Sequence, residues 1–169
     1  MPSVNQNNQY GDNNVYIMRL TVDVGWIQNI IFNNPEQVTN LLEKIEEYEE
    51  LENDNEDYDT SPMDDIEDKN KKNNLEEFYK EFIQQEESKF EVLEDFIKEN
   101  DLGLKVERAS KVIRRAIYSY NDRCSNKLTP QIFQELLTNF TENLNSHDEK
   151  NLMELWIYFL YRYCFIGEK

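Results

Sequence analysis

Apolar positions fall at helical spacing over most of this chain and alternate only near its start. Val38, Leu41, Leu42, Ile45, Tyr48 and Leu51 form one stripe. It opens at Asn34-Pro35, an Asn cap followed by the residue best suited to a first helical turn. Leu75, Phe78, Tyr79, Phe82, Ile83, Phe90, Leu93 and Ile97 predict a long amphipathic helix to about Asn100, ended by Leu102-Gly103. A third helix runs from about Lys105 to Tyr120, with Val106, Ala109, Ile113, Ala116, Ile117 and Tyr120 inward. Thr129-Pro130 opens a fourth, carrying Ile132, Phe133, Leu136, Leu137, Phe140 and Leu144. The fifth starts at a capping box, Ser146 with Glu149, and carries Leu152, Met153, Leu155, Trp156, Phe159, Leu160 and Tyr163. Trp26 to Phe32 is apolar and reads equally as a short helix or an extended run.

Period two replaces this spacing at Met18, Leu20, Val22 and Val24, within a segment rich in Val, Ile, Tyr and Thr. Gly11-Asp12-Asn13-Asn14 precedes it, and these residue types tolerate positive φ, so a β-hairpin across the turn is expected. A lone hairpin is marginal in water and must pack on the helices or pair with another chain. The predicted fold is mainly α: a helical bundle of about five helices with a short N-terminal β-hairpin or strand. Residues 1–24 would hold the Asn-rich turn and hairpin. Residues 25–169 would form the helical domain, interrupted at about 53–74 by an acidic mobile loop where apolar periodicity gives way to acids, Asn and Lys.

Charge sharpens this division. The 169-residue chain carries a formal net charge of −17. Between Glu43 and Asp68 fourteen acids face the single base Lys44, a local charge of −13. Between Lys105 and Arg123 six bases face two acids, a local charge of +4. So acidic a surface repels phosphates, which argues against autonomous nucleic-acid binding, while the basic stretch suits an acidic partner. Apolar runs are far shorter than the roughly 18 residues of a membrane span, and MPSVNQNN lacks the features of a signal peptide. A cytoplasmic protein is expected.

Catalytic chemistry finds few candidates. His147 is the one histidine, placed directly after a helix cap, so Ser-His and Cys-His pairs would all depend on it. Four glycines leave no phosphate-cradling loop. A calcium loop starting at Asn53 would have oxygen ligands at 53, 55 and 57. Tyr58 stands where Gly is required, however, and Asp64 where a bidentate Glu belongs. Cys124 and Cys164 are too few for a disulfide framework or a metal site and read as reduced thiols. No enzyme activity, metal or cofactor is expected.

Trp156-Ile-Tyr-Phe-Leu-Tyr161 is apolar around its whole circumference: it is either wrapped by the fold or, since one core face cannot cover it all, partly covered by another chain. Tyr158, Tyr161 and Phe165 are therefore expected to face outward as partner anchors, aromatics being favoured at interfaces. Arg114 and Arg115 on the basic helix, and Asn13 and Asn14 in the N-terminal turn, are the other expected partner-binding residues.

The closing stretch, Tyr161-Arg-Tyr-Cys164-Phe-Ile166-Gly167-Glu-Lys169, resembles the ending of C-terminal domains in bacterial three-component conflict systems built around an SMC-like ABC ATPase. Lamassu-type anti-phage systems are the best-known members. Those domains close on an apolar helix running into a Cys, an Ile and a Gly, as Cys164, Ile166 and Gly167 do here. An Asn-rich turn before a strand, as at Gly11 to Asn14, is similar to a feature seen upstream of domains in such proteins. These domains commonly follow an effector, often a nuclease, and no effector fits within this length. The resemblance implies a stand-alone accessory subunit that holds the SMC-like ATPase or the effector subunit. The rival reading is an acidic DNA mimic or inhibitor from a phage or mobile element, which would need its carboxylates ordered on one folded face.

Overall fold

The computed structural model describes residues 24–48 and 65–169. Helix α1 spans residues 24–33, and α2 follows as Pro35–Glu46. α3 is Ile66–Asn73, and α4 is the single turn Glu76–Phe78. That turn widens into a π-helical stretch, Tyr79–Ile83, then tightens to 3-10 over Gln84–Glu86 before α5, Glu87–Glu99. α6 (Gly103–Tyr120), α7 (Pro130–Thr141) and α8 (His147–Arg162) complete the order.

The expected architecture is corrected here. Seven α-helices of eight residues or more replace five, and the described residues contain no strand. Val24, assigned to a hairpin arm, opens α1, because Ile27 and Ile30 find a core to enter only on a helical backbone. The rest of that hairpin, residues 1–23, and the acidic residues 49–64 lie outside the described residues. Ile66–Asn73, assigned to the irregular loop, is helical.

Local chemistry accounts for several helix ends. Thr129 Oγ1 accepts from the Ile132 amide at 3.4 Å, with Pro130 opening α7. At α8 the Ser146 hydroxyl accepts from the Glu149 amide at 3.1 Å, while Glu149 accepts from the Ser146 amide at 3.3 Å. Asn34 makes no side-chain cap on α2; its amide bonds Gln37 Oε1 at 3.3 Å, and Pro35 alone marks the start. α5 stops at Asp101, whose φ of 53° is left-handed, with the Leu102 amide bonded back to Ile97 O at 3.0 Å. Gly103, read as part of the stop, instead begins α6.

α8 lies at the centre, with α2 and α7 packed against it and α6 bridging those two. Nine consecutive-turn residues of α8, Leu152, Met153 and Leu155 through Tyr161, are buried. Trp156 is fully enclosed and donates its indole N–H to Val38 O at 3.2 Å, which ties α8 to α2. Phe133 packs on Tyr158 and Tyr161, and Phe90 meets Phe159 edge-on. Among the described residues no helix is long and apolar enough to cross a membrane.

Candidate functional site

α3 has no apolar stripe, yet one of its faces is buried. Lys69, Asn70 and Asn73 lie at i, i+1 and i+4, so they share one side, and all three are enclosed. Two features start and stop this short helix. Asp65 Oδ1 accepts from the Glu67 amide at 3.3 Å, and Asn74 takes the left-handed conformation at φ 56°. Acids in its first turn and Lys71 and Lys72 in its last complement the helix dipole.

The partner of this face is the C-terminal end of α8. Lys69 Nζ donates to Tyr161 O at 2.6 Å, to Ile166 O at 2.7 Å and to Cys164 Sγ at 2.9 Å, and sits 4.1 Å from the Tyr161 ring centre. It thus adds a donor from outside at the helix end and in the turn beyond it. Burial lowers its pKa to about 8, which hydrogen bonding to Cys164 only partly opposes. Asn70 Oδ1 accepts from the Tyr161 hydroxyl at 2.9 Å. Asn73 bonds both backbone groups of Glu168, accepting at 3.1 Å and donating at 2.7 Å, and also accepts from the Leu128 amide at 2.8 Å. Arg114 Nη1 donates to Phe165 O at 2.9 Å, and Lys72 Nζ to Lys169 O at 2.7 Å. The carbonyls of Tyr161, Phe165, Ile166, Glu168 and Lys169 thereby accept from cations or amides of α3 and α6.

The turn after α8 shapes that segment. The Phe165 amide bonds Leu160 O at 2.9 Å and the Cys164 amide bonds Tyr161 O at 3.1 Å, with Cys164 left-handed at φ 62°. Glycine usually holds that position; here the Cys164 sulfur meets Lys69. Gly167 follows at φ 83°, where an added Cβ would come within 3.1 Å of Tyr161 Cε2.

These contacts coincide with the residues that carried the resemblance. Residues 27–167 match the family model of C-terminal domain 12 of the ABC-three component (ABC-3C) systems. The chain belongs to this family. Comparisons with the curated proteins and with the solved structures return no match. The ABC-3C domain is thus a part of a multi-component system, and Cys164, Ile166 and Gly167 form the closing turn of its fold.

The expected partner anchors on α8 are corrected as to placement. Tyr161 is completely buried and Tyr158 nearly so, and Phe165 is half-buried against the core. α4 and α7 bring Phe78 and Phe133 against the side of α8 that one core face would have left open. Burial raises the pKa of both tyrosines. Arg114 is also buried, bonded to Ser110 and to the C-terminal turn. Asn13 and Asn14 lie outside the described residues.

Arg115 takes the other side of α6. Leu104, Arg108, Lys111, Arg115 and Tyr118 succeed each other at four- and three-residue steps, which places them along one outward line of the helix. Leu104 is 70% exposed and Tyr118 41% exposed, so two apolar groups flank the exposed Arg108 and the half-buried Lys111 and Arg115. Sequence reasoning missed this ordering because Lys and Arg seemed scattered over several faces. Among the described residues of the ABC-3C domain, no group of three or more His, Cys, Asp or Glu is placed to hold a metal ion.

Proposed function

We propose that this chain is a non-catalytic adaptor subunit of an anti-phage ABC-3C assembly, and that it binds the SMC-like ATPase or the effector subunit through the outward line of α6. The observation that carries this reading is the α6 line itself. Large exposed apolar groups at Leu104 and Tyr118 bracket Arg108, Lys111 and Arg115 on a chain whose net charge is −17. A cationic strip with apolar ends suits an acidic, amphipathic helix of a partner protein: the charges guide approach and register, and the apolar ends supply buried area. The strongly negative remainder would repel a partner docking elsewhere with the same acidic surface. Family membership supports an assembly of several proteins as the setting.

The test is copurification of the full chain with the ATPase and effector proteins encoded beside it. The double change Arg108→Glu and Arg115→Glu should weaken capture at least about tenfold, a loss of roughly 1.4 kcal/mol. Capture by the unaltered chain should fall as salt rises. Unchanged capture by the double variant at low salt would refute the α6 surface. Retention of no partner, together with competition against duplex DNA for a basic protein, would favour the DNA-mimic reading.

A further inference from the structure

Lys69 and Cys164 bring an amine nitrogen and a thiol sulfur to 2.9 Å inside the protein, from positions 95 residues apart in sequence. Both are enclosed, at 1% and 5% exposure. The other two contacts of Nζ, to Tyr161 O and Ile166 O, fix its direction, so the pair is held rather than met by chance. Cys124, by contrast, is exposed. No role in the proposed docking surface on α6 uses either group.

We propose that Lys69 and Cys164 are a modification site, at which hydrogen peroxide converts the contact into a covalent nitrogen–sulfur link between α3 and the turn after α8. The chemistry runs in two steps. The Cys164 sulfur attacks one peroxide oxygen and the O–O bond breaks. This gives a sulfenic acid, and the thiol proton leaves with the second oxygen as water. The Lys69 nitrogen lone pair then attacks that sulfur, the N–S bond forms, and the S–O bond breaks. The departing oxygen takes a nitrogen proton and leaves as a second water. Sulfur loses two electrons and peroxide gains them, so no other oxidant is needed. A sulfenic acid ordinarily meets a soluble thiol; here enclosure keeps large thiols out while a molecule as small as peroxide enters when the turn opens slightly. The second step needs the neutral amine, and burial of Lys69 brings its pKa to about 8, so a fraction is neutral at pH 7.

The experiment uses the full chain with Cys124→Ser, so that a disulfide of equal mass change cannot form. After brief treatment with hydrogen peroxide, the intact mass should fall by two hydrogens. Trypsin should no longer cut after Lys69, and the peptides holding Lys69 and Cys164 should appear joined. Dithiothreitol should restore both the mass and the cleavage. The linked chain should also melt at a higher temperature than its reduced form. Two results would overturn the proposal. One is Cys164 oxidised to sulfinic acid with Lys69 still cleaved. The other is Cys164 left as a thiol under peroxide that oxidises Cys124 in the unaltered chain.

Discussion

Arg114 and Arg115 are neighbours in sequence and take different faces of α6. Arg114 turns inward, bonds Ser110 and Phe165 O, and is 7% exposed. Arg115 lies on the outward line between Leu104 and Tyr118. The same contrast separates α3 from the outer face of α6. α3 sinks Lys69 among the carbonyls of Tyr161 and Ile166, whereas α6 presents Arg108 to solvent. A buried cation loses hydration and is kept only by bonds its surroundings cannot replace, so its removal should be felt in stability. An exposed cation such as Arg108 keeps most of its hydration, and its removal should be felt mainly in association.

That comparison would break first at Tyr161. Tyr161→Ala deletes a fully buried ring that touches Phe133, Tyr79 and Lys69, and should cost about 3–5 kcal/mol in urea denaturation. A variant as stable as the parent would mean that α8 is not packed as described. Asn73→Ala should cost about 1–3 kcal/mol, since it leaves the buried Leu128 amide without an acceptor and releases Glu168. Amide exchange at Leu128 and Glu168 should quicken in step.

A pH series sharpens the inward side. The folded pKa of Lys69, about 8, lies below its ordinary 10.5. Between those values the unfolded chain binds the extra proton, so stability should rise with pH across that window. Tyr79 and Tyr161 are shifted upward by burial from an ordinary 10.0. Above that pH the unfolded chain loses protons that the folded chain keeps, and stability should fall. Melting temperature should therefore peak at about pH 9–10. Lys69→Met should remove the rising limb and keep the falling one. The smallest stability change belongs to the outer face. Arg108→Glu should alter unfolding free energy by no more than about 0.5 kcal/mol, even where capture of a partner is lost. A loss of several kcal/mol would move Arg108 to the side of Lys69.

Periodicity made α2, α5, α6, α7 and α8 legible, together with the Thr129 and Ser146 caps, because apolar stripes and capping residues are local signals. It failed at α1, where Trp26 to Phe32 fits two spacings, and at α3, whose buried face is Lys69, Asn70 and Asn73. A polar side chain is buried there because its partners come from residues 161–168, and that pairing leaves no trace in hydrophobic spacing. The signs of α3 were present in its end chemistry: Asp65 before acids, then Lys71, Lys72 and Asn74. Tyr158 and Tyr161 were placed outward by counting one core face for α8. The fold supplies more than one, since α7 and α4 close over the helix from another side.

The pairing of α3 with the turn after α8 also sets an order in time. A ribosome adds about 5–20 residues per second, so Cys164 emerges roughly 5–20 s after Lys69, which precedes it by 95 positions. Through that interval α3 is a short, highly charged helix with no acceptor for its amine, and helices of this length do not persist alone. Its residues should therefore enter the native structure among the last, although they are made well before α5, α6 and α7. Native contact at this end of the molecule becomes a report that synthesis has passed Gly167.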